Sequence, residues 1–213
     1  MDEFVRQANK VKMERIIKNL KRRGMEGILC DTREDALKYI QSAVQPGDTV
    51  SWGDSVTLRE IGFPEAMKGR SDITWLNPVE LERGPEKEEL RHQALGADKF
   101  FLSTNAVTLD GELVNIDLIG NRVAALCYGP KDVYVVCGAN KIAFDEESAI
   151  RRIKTEACPA NSIRHGYRTP CSMSGKCGDC LIPGNTICGM TVITRFCPNG
   201  RIHVILINDS LGF

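Results

Sequence analysis

Apolar side chains recur along this chain in two alternating patterns, one spaced by three to four residues and one packed into short unbroken runs. In residues 2–23, Val5, Ala8, Ile16, Ile17 and Leu20 fall near helical spacing, so an amphipathic helix is expected to end at Gly24. EGILC (26–30) follows as a buried strand. Thr32 can cap a helix over REDALKYIQSAV, and QPGD turns the chain. TVSW (49–52) is then a second strand running through GDS into the helix VTLREIG. The pattern repeats with DITWLN as strand, PEKEELRHQALG as helix and KFFLSTNAV as strand. Asp110-Gly111 between two apolar runs signals a β-hairpin, an antiparallel insertion before the helix RVAAL. DVYVVCGAN (132–140) reads as another buried strand, and DEESAIRRIKTEA (145–157) as a helix that CPAN terminates. Strands alternating with helices in this way predict an α/β fold with a doubly wound, mostly parallel sheet.

Between 158 and 190 the pattern fails. The segment is dense in Cys, Gly, Pro and Ser and has no apolar period, so its order must come from something other than a core. TVITRFC, the turn PNG and RIHVILIND then read as a closing hairpin that returns to the main sheet. One α/β domain over 1–213 is expected, with 158–190 a cysteine-rich insertion held at both ends.

Composition narrows the function classes. Lys plus Arg and Asp plus Glu number 28 each, so no net charge draws the chain to nucleic acid or to anionic lipid. The basic stretch KVKMERIIKNLKRR reads as a solvated helix face. No apolar run is long enough to span a bilayer, and MDEFVRQANK lacks the apolar centre of a signal peptide, so a cytoplasmic protein with no membrane association is expected. In that reducing compartment nine cysteines, an odd number, point to free thiols and metal ligands rather than disulfides.

Four of the nine stand in TPCSMSGKCGDCLIPGNTIC: Cys171, Cys177, Cys180 and Cys188, flanked by Cys158 and Cys197. The Cys-x-x-Cys pair lets two thiolates converge on one metal, and the glycines permit the tight turns that expose backbone N–H groups to sulfur. Structural zinc sites usually present two such pairs, and only one is present here. The uneven spacing is closer to iron-sulfur ligation, so a [4Fe-4S] cluster is the first expectation and zinc the alternative. His165, on a nearby loop, reads as solvated, and Cys30, Cys127 and Cys137 as small buried thiols.

Polar residues gather elsewhere. SWGDSVTLREIG places Gly53, Ser55 and Thr57 between a strand and a helix, where N–H groups can hold a carboxylate or phosphate. Asn105, Asn115, Asp117, Asn121 and Arg122 interrupt apolar strands, and such groups are costly to bury unless they bond one another or a ligand. Arg122 could grip a carboxylate at two points. Asn140 and Lys141 end a predicted strand, where open α/β sheets gather ligand groups.

SWGDSVTLREIG, NAVTLDGELVNIDLIGNRVAALCYGP, VYVVCGANKI, PCSMSGKCGDC with IC, and RIHVILINDSLGF together resemble the lactate-utilization (LUD) domain family, in its branch with a C-terminal cysteine segment. The resemblance covers nearly the whole chain. It implies a fold similar to CoA transferases and ribose-phosphate isomerases, and an association with the oxidation of lactate to pyruvate by iron-sulfur protein complexes. The family's cysteine pattern falls on Cys171, Cys177, Cys180 and Cys188. Its polar pattern falls on Gly53, Ser55, Asn105, Asp117, Asn121, Arg122, Asn140 and Lys141. The tandem ferredoxin-type repeats of the family's larger partner subunits are absent.

The expectation is therefore an iron-sulfur protein in the redox metabolism of a small hydroxy or oxo acid, binding an anionic metabolite in a crevice near the cluster. An iron-sulfur electron-transfer partner and a homodimer fit the same reading. Two rivals stand beside it: a transferase or isomerase with Glu112 or Asp117 as nucleophile or base and a structural metal, and a non-catalytic redox or iron sensor or assembly subunit.

Overall fold

A computed structural model describes residues 2–178, 180 and 187–213. Helix α1 (Glu3–Arg22) is capped by the Asp2 carboxylate and buries Met13, Ile16 and Leu20 against the sheet. The chain reverses at Gly24 into β1 (Glu26–Cys30), then α2 (Arg33–Ala43), capped by the Thr32 hydroxyl, and β2 (Thr49–Trp52). Next come α3 (Val56–Glu60), α4 (Phe63–Lys68), β3 (Thr74–Leu76), α5 (Pro85–Ala94) and β4 (Lys99–Leu102). Strands β5 (Ala106–Thr108) and β6 (Leu113–Asp117) precede α6 (Asn121–Cys127) and β7 (Asp132–Gly138). After a 3₁₀ turn over Ala139–Lys141 and β8 (Ile142–Ala143), the chain ends with α7 (Glu146–Arg152), α8 (Cys158–Arg164), α9 (Pro170–Ser174), β9 (Met190–Thr194) and β10 (Ile202–Ile207).

Six strands form a parallel sheet in the order β1-β10-β7-β4-β2-β3. Its two faces are covered separately, as the alternation along β7 requires. Val133, Val135 and Cys137 point into one core with Met13, Ile16 and Leu20, while Tyr134 and Val136 point into the other with Ala36, Ile40, Trp52 and Phe63. This is the doubly wound α/β fold expected. A second sheet, β8-β5-β6-β9, packs its own core of Ala106, Val114, Ile116, Ala149 and Ile153. No helix among the described residues is long and apolar enough to cross a membrane.

Three local expectations are corrected. KFFLSTNAV is two strands: β4 lies in the parallel sheet and β5 in the second one, with Ser103, Thr104 and Asn105 making the crossing. The last two strands form no hairpin: β9 pairs antiparallel with β6, whereas β10 lies parallel between β1 and β7. The near-continuous apolar run IHVILI suits a strand buried on both faces; the polar positions of MTVIT suit an edge. The helix after α7 does not stop at CPAN. It widens into a π-helical turn over Ile153–Ala157 and continues as α8, which carries Pro159 in its first turn.

Candidate functional site

In open α/β sheets ligands collect beyond the carboxyl ends of the strands. Here the loops after β2, β4 and β7 bring Ser55 and Thr57, Ser103 to Asn105, and Lys141 to one small pit of about 60 Å³. The pit adjoins a cavity of about 800 Å³, and Asp54, Arg122, Asn161 and Arg164 line both. The large cavity has an apolar wall from Trp52, Pro78, Val79, Leu118, Ile119 and Ile187, and a cationic rim from Arg83, Lys87 and Arg91.

Lys141 is 4% exposed. Its Nζ donates to Thr57 Oγ1 at 2.7 Å and to Ser103 Oγ at 2.9 Å, and among the described residues it forms no ion pair. Burial, the main cause, pulls its pKa from 10.5 down to about 8; Cys137 opposes this, and Arg152 and Arg122 add to it. Arg152 donates to the Asn105 and Asn140 carbonyls and so ties the loops after β4 and β7 together.

Arg122, at the start of α6, passes directly over Gly53, where an added Cβ would lie 2.6 Å from its Cγ. Its Nε faces Asp117 at 3.3 Å and its Nη2 donates to the Ile116 carbonyl at 3.0 Å. Nη1 has no protein partner among the described residues, and it belongs to the side chain shared by the two cavities. Asp117 is buried; one oxygen accepts from the Leu118 N–H at 2.8 Å, and the other has Arg122 alone beside it. Asp54 sits between Arg164 at 3.0 Å and Arg59 at 3.1 Å. Burial acts to raise its carboxyl pKa, but those two cations outweigh it and hold the pKa below the usual range.

The sequence-predicted residues divide. Ser55, Asn105 and Lys141 line the pit, Asn121 and Asp117 the large cavity, and Arg122 both; Gly53 gives Arg122 its passage. Asn105 also knits the second sheet, accepting from Ile116 N–H while its own N–H donates to Asn115 Oδ1. Asn140 binds the Leu211 N–H and the Gly212 carbonyl and lines neither cavity. Glu112, in the hairpin, is held by Arg23 and Thr108 and also lines neither. Sequence reasoning missed Asp54, Asn161 and Arg164. The last two come from α8, inside the stretch that shows no apolar period, and helical spacing of Asn161 and Arg164 was the signal available.

The cysteines adjoin this site, since Ile187 lines the large cavity and Cys188 follows it. Cys188 Sγ lies 3.3 Å from Cys158 Sγ, and their hydrogen bond lowers the Cys188 pKa while raising that of Cys158. Cys171 Sγ is 3.2 Å from Thr169 Oγ1. Cys177 is in the electrostatic reach of Cys188, Cys171 and Cys180; burial and these neighbours raise its pKa and Lys154 opposes them. Five thiols sharing one neighbourhood, Cys158 with the four expected ligands, fit the donor chemistry of a thiolate-bound metal or cluster. Among the described residues no three His, Cys, Asp or Glu side chains are set to share one ion, and part of the CGDCLIPGNTIC stretch, Asp179 and 181–186, lies outside those residues.

The molecule is thus a doubly wound α/β protein with a cationic crevice beyond the carboxyl ends of its parallel strands. Its sequence matches the LUD domain over residues 13–207, and the chain belongs to that family. Among solved structures it is similar to a DUF162 family protein from Deinococcus radiodurans, with 13% identity, a TM-score of 0.53, and coverage of 93% of this chain and 98% of that one; this likeness is one of fold. It is also similar to eIF2B delta from Chaetomium thermophilum, with 24% identity and a TM-score of 0.32 over 54% of this chain and 48% of that one. No curated protein matches the sequence significantly.

Proposed function

We propose that this LUD-domain protein binds the carboxylate of a hydroxy or oxo acid, of the lactate or pyruvate type, where the pit meets the large cavity. In this reading a [4Fe-4S] cluster on Cys171, Cys177, Cys180 and Cys188 lies beside that acid and serves its redox metabolism. The observation that carries the binding reading is Arg122: a guanidinium with a free edge, held in place by Asp117, Ile116 and Gly53, facing the same pit as a buried lysine that has no counter-charge. A buried cation without a partner is costly, and a bound carboxylate offsets that cost. The cavity of about 800 Å³ leaves room for an acid with an apolar extension against Trp52 and Val79. When bound, the cluster would supply one-electron redox chemistry; the protein's part is to hold and orient the acid.

Two measurements test this. Thermal shift and calorimetry with pyruvate, lactate and oxalate should show binding that Arg122→Met weakens about 10- to 100-fold, as loss of a charge-assisted hydrogen bond implies. An unchanged affinity would remove the acid from this site. Anaerobic purification should give about four irons and four acid-labile sulfides per chain, lost in Cys177→Ala. About one zinc per chain and no sulfide would make the segment a structural metal knot instead.

A further inference from the structure

In the binding reading Lys141 acts only through its charge, and its surroundings suit a second role for its neutral fraction. Its two partners are hydroxyls whose own hydrogens are already committed: Thr57 Oγ1 donates to the Leu211 carbonyl at 3.3 Å, and Ser103 Oγ to the Thr104 carbonyl at 3.2 Å. With their hydrogens turned to those carbonyls, each accepts from Lys141. A neutral amine has two N–H groups and one lone pair, whereas an ammonium has three N–H groups and no lone pair. Two acceptors suffice for both N–H groups of the neutral form, which then keeps its lone pair for whatever enters the pit. Gly212, at φ +60°, closes the other side, where a Cβ would stand 3.1 Å from Nζ.

We infer that Lys141 is a nucleophile that forms an imine with the carbonyl carbon of a 2-oxo acid bound where the pit meets the large cavity. This rests on the binding reading given above, with Arg122 on the carboxylate. The Nζ lone pair attacks the carbonyl carbon, the carbonyl π pair moves to oxygen, and a proton passes from nitrogen to oxygen to give a carbinolamine. The nitrogen lone pair then closes the C=N bond as that hydroxyl takes up a second proton and leaves as water, and the iminium nitrogen gives one proton back to solvent. One amine and one carbonyl become one imine and one water, with no electron gained or lost. The imine in turn acidifies the C–H bonds of the adjoining carbon, which sets the reaction class as chemistry at the carbon next to the former carbonyl.

The groups that face Lys141 favour this. Arg122 from α6 and Arg152 from α7 disfavour its charge, Cys137 from β7 and Glu60 from α3 favour it, and burial outweighs them all. Asp54 and Arg164, paired with each other, are the other charged side chains in the lining of the pit. With a pKa of about 8, about a tenth of the amine is neutral at pH 7.

The test is reductive trapping on the full chain as purified, with its metal. The protein is incubated with pyruvate and sodium cyanoborohydride, digested, and mapped by mass spectrometry. The expected result is one reduced pyruvyl adduct on Lys141, absent without pyruvate. At pH 7 the adduct should form on Lys141 ahead of exposed lysines, whose neutral fraction there is far smaller. In Lys141→Met, incorporation falls to the background of exposed lysines; mapping of the wild-type chain decides the matter even if that variant does not fold. A pyruvate thermal shift with no adduct on Lys141, or with adducts only on exposed lysines, overturns the imine and leaves the binding reading standing. Neither shift nor adduct overturns both.

Discussion

At the scale of the residue, the site depends on two cations held by unequal means. Arg122 is positioned by the absence of a side chain at Gly53, so Gly53→Ala should displace it: the new Cβ would lie 2.6 Å from Cγ and 2.9 Å from Cδ. Affinity for the acid should fall about tenfold or more, while overpacking costs about 1–3 kcal/mol in urea unfolding. Intact affinity would show that Arg122 does not carry binding. Lys141 is held by burial against its own charge, and this fixes the sign of a pH effect. Its folded pKa of about 8 lies below the ordinary 10.5, so the unfolded chain binds the extra proton between those values. The contribution is therefore full above 10.5 and is lost as pH falls to about 8. Relative to Lys141→Met, wild-type stability should rise between pH 8 and 10.5, by at most about 3 kcal/mol, and be level below that range. Urea titrations of both proteins at pH 7 and pH 10 measure it; parallel curves would mean that the amine is not desolvated. Arg122 was legible in the sequence because it stands among polar groups that interrupt apolar strands, and Lys141 because it ends a predicted strand where ligand groups gather. Arg164 and Asp54 were not, because ordinary surface ion pairs have the same composition.

At the scale of the element, strand and helix positions were legible and strand neighbours were not. KFFL and AVT differ little in pattern, and only the turn through Ser103-Thr104-Asn105 sends them to different sheets. IHVILI announces a doubly buried strand, but an apolar run carries no information about which strands flank it. The proline in CPAN argued for a helix end, and the π-helical turn before it evades the clash that argument assumed. The Asp110-Gly111 hairpin was legible because positive φ needs glycine: Gly111 has φ +87°. The hairpin is also fixed to α1, through the Arg15 to Asp110 ion pair at 2.9 Å and the bond from Asn19 Nδ2 to the Leu109 carbonyl at 3.0 Å. A Cβ on Gly111 would meet the Leu20 nitrogen at 3.1 Å. Gly111→Ala should therefore cost about 1–2 kcal/mol from the left-handed backbone, and more from crowding, without changing affinity at the distant pit. A drop in affinity would mean that the hairpin and the site are coupled.

At the scale of the molecule, the question is how far the cysteine segment depends on the rest and the rest on it. Both cores of the parallel sheet are built without any residue from 158–188; Cys158 and Ile187 enter only the small core under the second sheet. In the proposed reading a bound metal orders this segment, whereas the sheet carries its own hydrophobic stabilisation. Removal of metal by a chelator should accordingly act locally. Limited proteolysis should cut between His165 and Cys188 in the chelated protein and spare the metal-loaded one. Hydrogen exchange in β7 and β10, interior strands of the parallel sheet, should stay slow in both. Ligand affinity should fall with the cut, because Ile187 and α8 form one side of the cavity. If β7 and β10 instead lose protection together with the segment, the metal stabilises the whole fold, and the division between a self-sufficient sheet and a metal-ordered wall is wrong.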